Sequence, residues 1–215
     1  MKSYTLLTIL ILLCSTLLFS VNIEPEQNSS IDSVQIGEQI WMKKNLNVSK
    51  FRNGDNIPEA QSKEEWIKAS EEGKPAWCYY KNIKTNGDKY GKLYNWFAVI
   101  DERGLAPEGW HIPSDKEWTE LEVYLGEDAG YKLKSTENWN EGRNGSNSSG
   151  FSGLPAGYRG LYDDFDGLGD TGYWWSSTDF LGEPGWHRNL SLFKKGILRA
   201  LSDKGDGWSV RCVKN

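Results

Sequence analysis

The chain has 215 residues, with 25 Lys and Arg against 30 Asp and Glu, a formal net charge of -5. A surface that tracks phosphates needs clustered Lys and Arg to displace counterions, so this balance argues against nucleic acid as a partner. Eleven Trp, ten Tyr and twenty-three Gly beside only two Met exclude an ordinary helical bundle and favour short strands joined by tight turns and long loops.

At the N-terminus Lys2 precedes an uncharged apolar run from Leu6 to Phe19. The run is short for a membrane span and has the parts of a secretory signal peptide. Cys14 follows Leu13, where lipoprotein processing wants a small residue, so simple cleavage near Ser20 to Asn22 is expected. Residues 1–21 then form the signal and 22–30, rich in Glu, Asn and Ser, a tether with too little apolar surface to pack. Residues 31–215 suit one domain. The expected location is the periplasm, cell surface or exterior, with no transmembrane segment in the mature chain. Cys78 and Cys212 survive export, and an even number in an oxidising compartment predicts one disulfide.

The folded region opens with Ser33 to Ile36 and Gln39 to Met42 around Gly37-Glu38, the pattern of a type II′ hairpin. Ser62 with Glu65 is a capping box that starts a helix ending near Gly73. Ser114 with Glu117 is another, followed by Trp118, Leu121 and Leu125 on one face and Gly126 as the stop. Loops are predicted over Asn138 to Gly150 and Asp163 to Thr171, both rich in Gly, Asn, Ser and Asp. Strands are predicted at Tyr173 to Thr178, Trp186 to Phe193, Ile197 to Ser202 and Trp208 to Val213, with Lys194-Lys195-Gly196 turning the middle pair. Two helices early, strands late and long loops make an α+β domain.

Val34-Gln35-Ile36-Gly37, Gln39-Ile40-Trp41-Met42, Tyr90-Gly91-Lys92-Leu93-Tyr94-Asn95-Trp96 and Pro107-Glu108-Gly109-Trp110-His111-Ile112-Pro113 resemble the Fibrobacter succinogenes major paralogous (FISUMP) domain. Gly172-Tyr173-Trp174-Trp175-Ser176-Ser177 and Ser209-Val210-Arg211-Cys212-Val213 continue the resemblance to the C-terminus. A more distant likeness joins His111 to Trp118, and Val210-Arg211-Cys212, to the sulfatase-modifying proteins. That likeness implies a C-type-lectin-like fold, with the N- and C-terminal strands in one sheet and long loops that carry the binding surface. The Cys pair those oxidases use is missing, so their chemistry does not carry over. With two His and no phosphate loop, an enzyme is the less favoured reading.

The expectation is therefore an exported, non-catalytic recognition module of the bacterial envelope for glycan or surface-protein ligands, the alternative being a structural or adhesive protein without a small ligand. Indole faces stack on sugar rings while polar neighbours take the hydroxyls, which points to Tyr162, Trp174, Trp175, Trp186 and Arg188. Adjacent Trp174 and Trp175 point to opposite faces of a strand, so one is expected in the core and the other toward the loops. No obligatory cofactor is expected. Calcium is the one metal the acidic loop could take, through Asp163, Asp164, Asp166 and Asp170, although their spacing is not that of an EF-hand.

Overall fold

In the computed structural model, which describes residues 31–162, 164–181 and 183–215, the opening hairpin forms at the predicted residues. Strand β1 (Ser33–Ile36) pairs antiparallel with β2 (Gln39–Met42), Ile36 facing Gln39. Gly37 takes φ 61° while Glu38 keeps a negative φ, as a type II′ turn requires. The expected signal peptide and tether lie outside the described residues.

Both capping boxes are present. Helix α1 (Lys63–Glu71) starts where the Ser62 hydroxyl accepts the Glu65 N–H at 3.1 Å and the Glu65 carboxylate accepts the Ser62 N–H at 3.0 Å. After β3 (Trp77–Cys78) come three short elements the sequence patterns did not announce: α2 (Lys84–Tyr90), β4 (Leu93–Tyr94) and α3 (Trp96–Val99). α2 carries Gly87 in its middle, ordinarily a helix breaker. A Cβ there would collide with the Tyr79 ring, so glycine is needed for close packing. β5 (Trp110–His111) leads to α4 (Asp115–Leu125), capped by Ser114 and Glu117, which buries Trp118, Leu121 and Leu125 as their spacing predicts. α5 (Ala129–Leu133) follows. The described residues thus contain more helices than the expected two, the extra ones being too short to show a periodic face.

The second half is a strand-rich array of β6 (Ala156–Arg159), β7 (Phe165–Leu168), β8 (Thr171–Phe180), β9 (Glu183–Ser191) and β10 (Leu198–Ser202), in the order β10-β9-β8-β6-β7. β7 corrects the expected acidic loop. Phe165 and Leu168 pack against the cluster holding Trp66 and Tyr80, which draws the segment into a hairpin with β6. The last strand, β11 (Val213–Lys214), lies between β2 and β5 in a four-stranded sheet ordered β1-β2-β11-β5. First and last strands therefore share one sheet, and the architecture is α+β.

The predicted strand from Trp208 to Val213 is extended but has no continuous partner. Its backbone bonds in turn to Tyr94, Trp175, Leu46 and Met42, each on a different segment. This fully buried crossing joins the two sheets.

A second correction concerns Trp174 and Trp175. They do point to opposite faces of β8, yet both are buried, because β8 is an interior strand and each face carries its own core. Trp174 packs with Trp41, Trp118 and Phe151. Trp175 stacks on Trp208, ring centres 4.2 Å apart. The disulfide is a third correction. No bond joins Cys78 to Cys212, and each lies buried in a separate hydrophobic cluster. Burial pushes the Cys212 thiol up to about 12.

Residues Ile31 to Asn215 form one compact unit. Among the described residues no helix is long and apolar enough to cross a membrane.

Candidate functional site

The residues expected to bind do not form one site. Tyr162 is exposed, but Trp186 lies under the Arg199 guanidinium, 3.3 Å from its ring centre, with the Phe180 ring against its other contact at 5.8 Å. Trp174 and Trp175 are core. Arg188 is 1% exposed and held by Asp115 at 2.7 Å, so it offers nothing to a ligand. Of the four acidic residues, Asp163 lies outside the described residues. The Asp164 carbonyl accepts the Gly160 N–H, Asp166 accepts from Gly167, and Asp170 accepts the Asn140 amide at 2.9 Å. These bonds hold the chain locally at Asp164 and Asp166 and tie Asp170 to Asn140, and among the described residues no group of three His, Cys, Asp or Glu could hold a metal ion. A carboxylate the sequence reading missed, Asp206, accepts the Leu161 N–H at 3.0 Å. Burial raises its pKa to about 6, above the usual carboxylate range.

Each histidine has a structural setting of its own. His111 bridges Glu117 at 2.7 Å and Asn215 at 2.8 Å, tying the cap of α4 to the chain end. His187 is core. Its ring lies 3.9 Å from the Trp208 ring centre, and burial, then the adjacent Arg188 charge, lower its pKa to about 3. Between its ordinary pKa of 6.5 and about 3, the unfolded chain binds a proton that the folded chain refuses. Stability contributed by neutral His187 is therefore lost as pH falls through that window, roughly 2–3 kcal/mol by pH 4.5. Urea unfolding at pH 7 and 4.5 should show that much more acid destabilisation in the wild type than in His187→Gln. Equal losses in the two proteins would show that His187 is not excluded from protonation.

A cleft lies elsewhere, beside α2, with a volume of about 600 Å³. It is lined by hydrogen-bonding side chains from separate segments, including Lys44, Asn47, Lys89, Ser135, Glu137 and Asn147. Its floor is set by Asn45, whose amide is fully engaged. Asn45 Nδ2 donates to the Tyr90 carbonyl at 2.9 Å and Ser209 Oγ at 3.2 Å, while Oδ1 accepts from Trp174 Nε1 at 2.8 Å and Arg211 Nη2 at 2.7 Å. Arg211 is wholly buried, donates also to the Phe151 carbonyl, and rests on the Phe151 ring. Among the described residues it has no ion-pair partner, and burial depresses its pKa to about 9, which leaves it cationic at neutral pH. The wall is stitched tightly to the floor. Lys92 N–H donates to the Leu46 carbonyl at 3.1 Å, and Asn47 Nδ2 to the Gly87 carbonyl at 3.2 Å. At Gly91, φ is 78° and an added Cβ would meet the Leu46 carbonyl oxygen at 2.8 Å, so only glycine lets the chain turn here.

A second hollow of about 420 Å³ is lined by Glu59, Gln61, Tyr79, Asn82, Lys84 and Lys92 among others. Lys92 is 4% exposed; its Nζ donates to the Asn47 carbonyl and Oδ1, both at 3.0 Å, and sits 4.2 Å from the Trp77 ring centre. Sequence reading missed both hollows because their residues are scattered along the chain, from Asp32 to Leu154 in the larger and from Ser49 to Lys92 in the smaller, and include no motif. The nearest signal was the Gly91 to Asn95 run, quoted for family resemblance alone.

A family model described as the Fibrobacter succinogenes major domain matches residues 34–214. No curated protein and no solved structure matches the chain.

Proposed function

This chain belongs to the Fibrobacter succinogenes major domain family, and we propose that it is a non-catalytic recognition module of the bacterial envelope that binds glycan. The observation that carries the reading is the cleft beside α2. Its 600 Å³ lies within the range of small-ligand sites, and amide, hydroxyl, ammonium and carboxylate groups converge there on a scaffold pinned by Asn45. Such a lining matches a hydroxyl-rich ligand, and loops held by a rigid framework are where recognition is usually placed. The apolar run near the N-terminus supports export, and the shared sheet of first and last strands supports the likeness to C-type-lectin-like proteins.

A glycan array followed by calorimetry on the purified protein tests this. Lys44→Ala with Lys89→Ala should weaken binding tenfold or more, the glycan should be recovered uncleaved, and binding should persist in EDTA. Binding untouched by the lysine pair would place the site elsewhere, and a cleaved product would make the protein an enzyme. A second reading, adhesion, is favoured by Phe180 and Leu181 at the β8–β9 tip, 46% and 88% exposed.

A further inference from the structure

The smaller hollow differs in chemistry from the cleft, because aromatic rings line it. Trp77 and Tyr79 meet edge to face there, ring centres 5.1 Å apart. Trp77 Nε1 donates to the Ile57 carbonyl at 2.8 Å, which turns the polar edge of the indole into the protein. The Tyr79 ring is fixed against α2, where a Cβ on Gly87 would collide with it. Asn82 holds φ 56° next to Lys81 at φ 53°, a left-handed backbone that few residues other than glycine adopt. Asn82 Nδ2 donates to the Gln61 carbonyl at 2.6 Å, so two separate segments of the lining are tied together.

Ser49, Glu59, Gln61 and Lys84 complete the lining. All four are exposed, and none of their side chains has a hydrogen bond or ion pair to another described residue. Uncommitted polar groups beside an apolar ring surface match a sugar, which carries C–H groups on its face and hydroxyls at its edge. Charge narrows the choice. The Lys92 ammonium lies 4.2 Å from the Trp77 ring centre and 5.1 Å from that of Tyr79, so the attraction these rings offer a cation is already taken up by the protein's own side chain. Burial lowers the Lys92 pKa and the Glu59 carboxylate opposes that shift; Glu59 also joins burial in raising the Tyr79 pKa. Glu59 therefore acts on both groups and disfavours an anion beside them. Lys84 offsets Glu59, and Lys92 is bonded to Asn47.

From these observations we propose that the smaller hollow is a separate site for a single uncharged sugar residue, its ring against Tyr79 and its hydroxyls bonded to Glu59, Gln61 and Lys84. The volume of about 420 Å³ lies toward the lower end of the range for small-ligand sites, which suits one ring in place of an extended chain. The two hollows share no lining residue, so this site does not depend on glycan binding in the larger cleft.

The probes are the methyl β-glycosides of glucose, galactose and xylose, titrated into the full protein while its amide chemical shifts are followed. Methyl β-glucuronide and methyl β-glucosaminide serve as charged rings of matching size. At least one neutral glycoside should bind in the millimolar range, shift the amides of residues 59–61 and 77–84, and bind tenfold more tightly than either charged ring. Lys44→Ala with Lys89→Ala should leave this binding unchanged. Gln61→Ala should weaken it threefold or more, Tyr79→Leu should abolish it, and Glu59→Gln should narrow the gap between the glucuronide and the neutral ring. Glu59 and Gln61 are exposed, so their variants should melt with the wild type and keep the test decisive even where Tyr79→Leu disturbs folding. Shifts confined to the larger cleft, binding indifferent to Gln61→Ala, or a charged ring that binds as well as the neutral one would overturn the proposal and leave the cleft reading standing. Silence from all three neutral rings overturns it as well. Oligosaccharide binding that ignores the Lys44 and Lys89 pair, with methyl glycosides still held by Gln61 and Tyr79, defeats the cleft reading alone.

Discussion

Replacing Asn45 by Ala should cost about 4 kcal/mol or more of folding stability, a large share of what a domain of this size possesses. The side chain is small and neutral, and its loss of apolar contact is minor. The expected cost comes from the groups it leaves behind. Trp174 Nε1, the Tyr90 carbonyl and Ser209 Oγ each lose a partner in the interior, and an unsatisfied buried polar group costs about 1–3 kcal/mol. Arg211 loses one of the two acceptors that make its buried charge tolerable, which is costlier. Asn45→Asp keeps Oδ1 and sets a negative charge beside Arg211, so it should lose less than Asn45→Ala. Urea denaturation measures all three proteins. A loss under about 1 kcal/mol for Asn45→Ala would mean that water or movement replaces those bonds.

Asp115 allows a sharper comparison, because one carboxylate holds two guanidiniums of very different burial. Its Oδ1 meets Arg188 Nη1 at 2.7 Å and Arg199 Nε at 2.9 Å. The Arg188 side chain is 1% exposed and the Arg199 side chain 43%. Burial works to raise the Asp115 pKa, but Arg199 and Arg188 overcome it and hold the carboxyl below its ordinary value. As the first residue of α4, Asp115 also complements the helix dipole. Asp115→Ala leaves Arg188 charged and buried with only neutral acceptors, the carbonyls of residue 115 and His187 and Thr119 Oγ1, so a loss of about 3–5 kcal/mol is expected. Arg199→Ala removes an exposed partner and should cost about 1 kcal/mol or less. Should the two variants unfold at the same urea concentration, the burial argument for Arg188 would be wrong.

The candidate site was less legible than the fold. Trp174, Trp175 and Arg188 have the chemistry of a sugar site, and that chemistry is what the interior uses. The indole N–H groups of Trp174 and Trp175 bond to Asn45 and the Tyr94 carbonyl, and Arg188 bonds to α4. Aromatic and polar residue types do not distinguish a binding surface from a core with satisfied hydrogen bonds. Only burial does, and burial depends on what covers the strand.

Local rules were sufficient wherever an element is closed by its own neighbours. Gly37 needs a positive φ in the two-residue turn between the strands, and Ser62 and Ser114 satisfy amides three residues on, so the hairpin and the two capped helices follow from sequence alone. The tertiary structure decided everything that depends on distant partners: β7, drawn into a strand by Tyr80; the broken ladder from Trp208 to Cys212, shared among four segments; and the face beside α2, assembled around Asn45 from Tyr90, Trp174, Ser209 and Arg211. The physical reason is range. A turn or a cap involves a few adjacent residues, whereas a buried amide with four partners up to 166 positions away exists only after the chain has closed around it.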